Sequence, residues 1–269
     1  MNKIFADLFS KPPQEIIEND YYYNADSEGD QFDEKDEEYW LNGGFKSSWD
    51  EERRQHWREE IFSLRDYASS QIADDGKPFM EIACGPGMGL TPMILQKNPQ
   101  IPCLATDACS RLIKAWRYYI NRNLTEYNIS LASFSVLNIP AKDNSLDYVT
   151  SAIGISSTRN GEDGQVQAIK EIFRILKPGG YFVAVENEWT DYSKIDEVFK
   201  LWGKGNYYKK PETSWNDKFV SAGFQIASED KNYFRKLTKS DNDLGEAADK
   251  FNIEIGMKFT LYLLRKVVN

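Results

Sequence analysis

A glycine-rich bend behind a carboxylate is the first feature of this chain that could do chemistry. Glu81 ends a short apolar run, and Gly85, Gly87 and Gly89 follow it within a few residues. Glycines let a backbone come close to a ligand because they lack a side chain. The carboxylate would repel a pyrophosphate, whereas it could orient an ammonium group. The pattern therefore predicts a bend that holds a small ligand. It disfavours a nicotinamide cofactor, because proteins that bind one have the spacing G-x-G-x-x-G.

The bend lies in a chain that alternates between short apolar runs and helical patterns. The predicted strands are residues 78–84, 101–107, 131–136, 146–153 and 180–186, and the predicted helices are residues 89–97, 110–124 and 162–177. Strands that alternate with helices in this way indicate a parallel sheet with helices on both faces. Ligands of such sheets bind beyond the carboxyl ends of the strands, which is where the bend lies.

The C-terminal part has a different pattern. A helix capped near Ser214 ends at Gly223, a strand follows at 224–229, and the long apolar segment 257–266 predicts an antiparallel strand. We expect an α/β fold with a doubly wound, mostly parallel, seven-stranded sheet, an antiparallel C-terminal strand and an N-terminal helical and aromatic cap. The predicted domains are a cap or lid at 1–50 and a Rossmann-like domain at 51–269.

Four segments together resemble the class I methyltransferases that use S-adenosylmethionine, particularly their small-molecule branch. They are EIACGPGMG at 81–89, ATDAC at 105–109, NIPAKDNSLDYV at 138–149 and EIFRILKPGGYFV at 171–183. Their order is that of the family, and the match extends over most of the chain after residue 78. The resemblance implies S-adenosylmethionine as cofactor and an in-line displacement at its methyl group.

The resemblance also implies a set of cofactor-binding residues. In the family the acid that ends the second strand, here Asp107, binds the ribose hydroxyls. The complete predicted set is Glu81, Ala83, Cys84, Gly85, Gly87, Gly89, Asp107, Ala108, Val136, Leu137 and Ser151. No metal is predicted, and no catalytic residue can be chosen, because the chemistry needs a base only when the nucleophile arrives protonated.

Two residues depart from the family pattern, and other readings of the acids remain open. Ala83 replaces the first loop glycine, and Ser135 replaces an aspartate that binds the adenine amino group in many members. We expect the backbone at Val136 and Leu137 to hold the adenine instead. Glu81 could simply cap the loop and Asp107 could be the N-cap of the following helix. Asp147 is interpreted as structural.

The N-terminal segment and the loops after two strands are expected to enclose the methyl acceptor. The two loops are residues 151–164 and 186–192, and the aromatic residues that could form a box for a cationic acceptor are Tyr21, Tyr22, Tyr23, Trp40 and Trp189. The alternative is that these rings only attach the cap to the core. Ser48 and Glu51 predict a capped helix that continues to residue 72.

Composition excludes several other classes of function. The 269-residue chain has a net charge of −9, which opposes binding to nucleic acid, and no apolar stretch long enough to span a bilayer. The acidic segment 26–38 is a poor calcium loop because Gln31 stands where a glycine is required. Cys84, Cys103 and Cys109 match no zinc pattern and are expected to be thiols outside any disulfide, and the only histidine, His56, lies in a charged run.

The sequence therefore predicts a cytoplasmic methyltransferase that acts on a small-molecule acceptor with an oxygen or nitrogen nucleophile, without membrane or nucleic-acid partners. A methyltransferase-like module that binds S-adenosylmethionine without turnover is the main alternative, suggested by Ser135 and by the absence of an evident catalytic group. A nicotinamide oxidoreductase is a third hypothesis. The oligomeric state is not predicted.

Overall fold

A computed structural model describes residues 2–23, 32–50, 69–70, 72, 74–158, 160–203, 211–239 and 243–267. His56 and most of the predicted helix from 48 to 72 lie outside these residues, as does the first part, 26–31, of the acidic segment 26–38. Ser48 itself lies inside a short helix that ends at Trp49, and its predicted partner in the capping box, Glu51, lies outside the described residues.

The described part of the chain forms one sheet of nine strands. They are β1 (Glu15–Ile17), β2 (Asp20–Tyr22), β3 (Phe79–Glu81), β4 (Cys103–Asp107), β5 (Ile129–Ser133), β6 (Leu146–Ala152), β7 (Leu176–Trp189), β8 (Phe224–Lys236) and β9 (Gly256–Lys266). Their order is β1-β2-β5-β4-β3-β6-β7-β9-β8. In this order, all neighbouring strands from β2 to β7 are parallel to each other. β9 lies between β7 and β8 and is antiparallel to both. The doubly wound sheet with an antiparallel C-terminal strand is therefore confirmed.

Helices cover both faces of the sheet. They are α1 (Lys3–Ala6), α2 (Glu34–Tyr39), a π-helix (Trp40–Gly44), α3 (Phe45–Trp49), α4 (Thr91–Lys97), α5 (Ser110–Asn123), α6 (Gly161–Ile175), α7 (Tyr192–Trp202), α8 (Trp215–Ser221) and α9 (Asp243–Phe251). One buried cluster lies under α3, α4 and α5, and a second lies under α1, α6 and α8. Among the described helices, none combines the length and the apolar content needed to cross a bilayer.

The strand count differs from the predicted seven because residues 15–22 add two strands at one edge. These residues belong to the segment that the sequence assigned to a cap. Glu18 and Asn19 make the turn between β1 and β2 with left-handed φ angles of 50° and 71°, which is the backbone of a tight hairpin. Each strand is three residues long, too short to show a periodic pattern. The predicted division at residue 50 stays a prediction.

A buried ion pair attaches this hairpin to the sheet. The Arg117 guanidinium donates from Nε to Asp20 Oδ2 at 2.6 Å and from Nη2 to Asp20 Oδ1 at 2.7 Å. The Leu131 N–H also donates to Asp20, whose side chain is fully buried. Burial raises the pKa of Asp20, and the hydrogen bonds and charge of Arg117 oppose this change.

Removing the cation should leave Asp20 as an uncompensated buried acid. We expect Arg117→Met to lower the free energy of unfolding by about 3 kcal/mol or more, measured by urea denaturation. The matched control is Arg122→Met on the exposed face of the same helix, which should cost under about 1 kcal/mol. Equal losses for the two variants would contradict a stabilising role for the pair.

Candidate cofactor site

A cavity of about 590 Å³ opens at the carboxyl ends of β3, β4 and β6. Its volume is in the range of small-molecule sites. The lining residues come from the glycine bend, the ends of β4 and β5, the loop after β6 and the N-terminal helices. Of the predicted cofactor residues, those that line it are Ala83, Cys84, Gly85, Gly87, Gly89, Asp107, Ala108, Val136 and Leu137. Glu81 and Ser151 lie behind its wall.

Glu81 holds the bend from behind. Its side chain is fully buried, and Oε2 accepts hydrogen bonds from the Leu90 N–H at 3.2 Å and from the Thr150 hydroxyl at 2.5 Å. Gly89 has a left-handed φ of 56°, and a Cβ there would overlap the Glu81 carboxylate. Of the two readings left open by the sequence, this geometry matches the carboxylate that caps the loop rather than one that faces a ligand.

Gly85 and Gly87 form the part of the bend that faces the cavity. A Cβ at either position would meet no other atom within 4 Å, so the space above both glycines is open. The Gly85 carbonyl accepts the indole N–H of Trp116 at 3.1 Å, and Trp116 is fully buried against Phe45 with ring centroids 4.0 Å apart. The bend is thus fixed from the α5 side, with its open side toward the cavity.

Asp107 meets the bend directly. Its Oδ2 accepts the Gly85 N–H and its Oδ1 accepts the Cys109 N–H, both at 2.9 Å. Burial raises the pKa of Asp107, and these backbone N–H groups oppose the change. The N-cap of α5 is Cys109 and not Asp107. Each carboxylate oxygen keeps a second lone pair with which it can accept a hydroxyl.

The loop after β5 lines the neighbouring part of the cavity. The Leu137 N–H donates to Ser135 Oγ at 3.3 Å, and the Leu137 carbonyl accepts the Gln167 amide. Both backbone groups of Leu137 therefore have partners within the protein. The N–H of Val136 is the better candidate for a hydrogen bond to a ligand ring at this position.

Ala83 adopts a left-handed φ of 50°. This conformation favours glycine, and a Cβ in it costs about 1 kcal/mol. The family's glycine at this position is thus replaced at an energetic cost, which the sequence alone did not show. All three cysteines are buried thiols without a disulfide, and burial raises the pKa of the Cys84 thiol that lines the cavity, so it is a poor nucleophile.

The loop after β6, which forms one wall of the cavity (the β6 wall), contains a strained residue. Ile153 has a φ of 64°, a conformation that is a true outlier for a β-branched side chain. Ser151 is buried beneath this wall, and a Cβ at Gly154 would lie 2.5 Å from its hydroxyl oxygen. Glu186 at the end of β7 holds the wall, since it accepts the Ile155 N–H at 3.3 Å and the Ser156 N–H at 3.1 Å.

Glu186 should give stability a specific pH dependence. Burial raises its pKa to about 8, and the two N–H groups and the charge of Lys218 only partly oppose this. Between the unfolded pKa, near 4.5, and about 8, the folded protein holds a proton that the unfolded chain has lost. Stability should therefore fall as pH rises through this window, by up to about 1.4 kcal/mol per pH unit.

The measurement is urea denaturation of the wild type and of Glu186→Gln at several pH values from 5 to 8.5. Other groups titrate in both proteins, so the difference between the two curves isolates Glu186. Glu188→Gln on the same strand is the control and should track the wild type. Parallel curves for the wild type and Glu186→Gln would contradict the assignment.

The predicted aromatic box does not form. Tyr21 and Tyr23 pack on Phe9 in the second cluster, Tyr22 is buried in the first cluster, and Trp189 packs against the third cluster around α7 and α9. The alternative, that these rings attach the N-terminal segment to the core, is correct for the three tyrosines. Trp40 alone of the five lines the cavity. The loop 186–192, predicted as a second wall, does not line it.

Several lining residues were not found from the sequence. Among them are Phe32 and Asp36. Asp36 lies in α2 four residues before Trp40, and Phe32 lies just before the N-cap Asp33. No helix was predicted here, because both residues lie within the acidic segment 26–38.

The sheet order, the glycine bend and the acid at the end of β4 define a class I, Rossmann-like protein with a cavity at the carboxyl edge of its sheet. Residues 52–208, more than half of the chain, match the model of the ubiE/COQ5 methyltransferase family. The chain belongs to this family, whose members depend on S-adenosylmethionine, and the resemblance inferred from the four motifs is confirmed.

Individual relatives are more distant. The chain is 26% identical over 130 residues to the demethylmenaquinone methyltransferase of Listeria welshimeri, which is 48% of this chain and 50% of the relative. It thus spans about half the length of the curated relatives that it matches. A Bacillus halodurans C-125 protein assigned as a methyltransferase shares the fold with a TM-score of 0.57 at 17% identity, over 76% of this chain and 99% of that one. A SAM-dependent methyltransferase from Methanosarcina mazei has a TM-score of 0.52 at 15% identity, over 71% and 93% of the two chains.

Proposed function

We propose that the chain transfers the methyl group of S-adenosylmethionine to a small-molecule acceptor that carries an oxygen or nitrogen nucleophile. The observation that carries this proposal is the contact between Gly85 N–H and Asp107. It brings the open glycine bend and the acid at the end of β4 to the same end of one cavity. Family membership supports the same activity.

The residues of the cavity fit the cofactor. The open space above Gly85 and Gly87 suits the amino-acid tail, which can approach the backbone there. Asp107 has lone pairs for the two ribose hydroxyls, and Val136 has a backbone N–H for the adenine. Glu81 and Ser151 would act indirectly, by supporting the bend and the β6 wall.

The chain's main tasks in such a reaction are alignment and exclusion of water. When bound, S-adenosylmethionine supplies an electrophilic methyl group on a positively charged sulfur. The strained β6 wall, with Ile153 and Thr158, and the helical face with Trp40 border the same cavity, so they can fix the acceptor and close off water. Positioning of this kind can supply several kcal/mol of the barrier.

The test is isothermal titration with S-adenosylhomocysteine, followed by measurement of S-adenosylhomocysteine formation over an acceptor panel. The panel includes phenols, amines and a demethylmenaquinone analogue, because the curated relatives carry that substrate in their names. We expect binding and turnover. No heat at millimolar ligand would remove the proposal, and binding without turnover on any acceptor would favour a binding module.

The location is also a proposal. The three buried cysteines without a disulfide suit a reducing compartment, and we infer that the protein works in the cytoplasm without nucleic-acid partners, in keeping with its net charge of −9.

A further inference from the structure

One face of the N-terminal helices lies on the cavity beside the proposed cofactor site. Phe32, Asp36 and Trp40 all line the cavity. Asp36 lies in α2 and Trp40, four residues later, is its C-cap, so these two share one face of the helix, whereas Phe32 precedes the N-cap Asp33. Arg111 on α5 pairs with Glu37 of α2 at 3.4 Å, which holds α2 over the start of α5.

The indole of Trp40 is fixed in place before any ligand arrives. A Cβ at Gly44 would lie 2.5 Å from Trp40 Cε3, so the ring packs directly on the glycine backbone. The Tyr39 ring meets it edge to face at 5.6 Å, and the Phe45 ring lies 5.8 Å away. A rigid aromatic face loses little entropy when a ligand stacks on it.

The described part of the cavity lining carries negative charge. Among the described residues that line it, the charged side chains are Asp36 and Asp107, and none is a lysine, arginine or histidine. Both oxygens of Asp107 accept backbone N–H groups of its own site. Asp36 is half-buried and its Oδ2 accepts the Asp33 N–H at 3.1 Å, and within the described residues no cation pairs with it.

We propose that Asp36 and Trp40 form the acceptor subsite and that it takes an amine, bound as its ammonium ion. This inference rests on the proposed methyl transfer and names its substrate class. An aromatic face and a carboxylate one helical turn apart match an ammonium group, through cation–π attraction and a charge-assisted hydrogen bond.

The same groups disfavour other acceptors. A carboxylate or phosphate group would be repelled by the negative charges of Asp36 and Asp107. A neutral phenol or quinol would leave the half-buried Asp36 carboxylate without a cation, which costs free energy.

Asp36 can also take up the proton that the amine must lose before it is methylated. The amine first passes its proton to the Asp36 carboxylate, and from there the proton leaves to water. The nitrogen lone pair then forms the N–C bond to the methyl carbon, while the electron pair of the breaking S–C bond goes to the sulfur. Methyl transfer to a primary amine gives a protonated secondary amine, which releases its proton in the same way.

The test measures acceptor binding by isothermal titration to protein saturated with S-adenosylhomocysteine. The probes are phenethylamine, 2-phenylethanol and phenylacetate, which share one ring and differ in charge. We expect phenethylamine to bind at least about tenfold more tightly than 2-phenylethanol, and phenylacetate to bind most weakly.

Asp36→Asn should remove most of the preference for the amine. An asparagine oxygen can still accept the Asp33 N–H, so α2 should keep its cap. The matched control is Glu38→Gln on the same helix, whose exposed side chain does not line the cavity. Trp40→Leu should weaken the amine severalfold without changing the order of the two neutral or anionic probes.

The outcomes separate the two proposals. If S-adenosylhomocysteine does not bind, methyl transfer itself is wrong and the subsite falls with it. If S-adenosylhomocysteine binds but phenethylamine does not, or binds no better than 2-phenylethanol, the amine subsite alone is overturned. Equal amine affinity in the wild type and Asp36→Asn would also overturn it.

Discussion

Asp107→Ala should weaken S-adenosylhomocysteine binding by about 100-fold or more. In the proposed site the carboxylate would accept both ribose hydroxyls, and hydrogen bonds to a charged group contribute about 1.5 to 3 kcal/mol each. It also accepts the N–H groups of Gly85 and Cys109, so its loss should loosen the glycine bend. The measurement is isothermal titration of each variant with S-adenosylhomocysteine.

Two further variants separate these effects. Asp107→Asn keeps the size of the side chain and one oxygen that can accept the Gly85 N–H, and it should lose about tenfold to 100-fold in affinity with a smaller loss of stability. Asp147→Asn is the control, because Asp147 pairs with Lys177 at 2.6 Å and does not line the cavity. Wild-type affinity in Asp107→Ala would show that the acid is not part of the cofactor site.

Replacing two glycines of the same bend with alanine should affect two different properties. The change should lower stability at Gly89 and weaken ligand binding at Gly87. At Gly89 the new Cβ would overlap the buried Glu81 carboxylate in a left-handed backbone conformation. We expect Gly89→Ala to lower the free energy of unfolding by about 3 kcal/mol or more, since it combines backbone strain with displacement of a buried acid. Thermal or urea denaturation measures this loss.

At Gly87 the new Cβ would enter open space on the cavity side. Gly87→Ala should therefore keep its stability within about 0.5 kcal/mol of the wild type and weaken S-adenosylhomocysteine binding at least about tenfold, by filling space that the ligand needs. A Gly87→Ala protein that binds normally would mean that the ligand does not approach this part of the bend. A stable Gly89→Ala protein would contradict the tight packing of Glu81.

The central part of the fold could be predicted from local sequence. The strands β3, β4 and β6 and the helices α5 and α6 each carry apolar residues at the spacing of their type. Their bounds differ from the predicted ones by a few residues. β7 is the exception, because it runs from Leu176 to Trp189 where 180–186 was predicted. Its C-terminal end pairs with β9, up to Trp189 with Met257, and its first residue, Leu176, pairs with Leu146 of β6. Local sequence does not encode such pairings.

The candidate site was predicted in part. The glycines and Asp107 were found because they follow strands in a fixed order along the chain. The burial of Glu81 against Gly89 and the presence of Asp36 in the cavity lining were not, because both depend on which segments pack together. Five aromatic residues with the same apparent promise were divided by the structure among three clusters and one cavity wall.

The sequence by itself determined the class of fold, the order of its motifs and the position of the bend, since these follow from periodicity and from residue types that lie close together along the chain. Only the tertiary structure decided that residues 15–22 join the sheet, that Glu186 clamps a strained wall and that Asp36 faces the cavity. Each of these is a contact between distant segments, and packing and burial select such contacts among many that the sequence would allow.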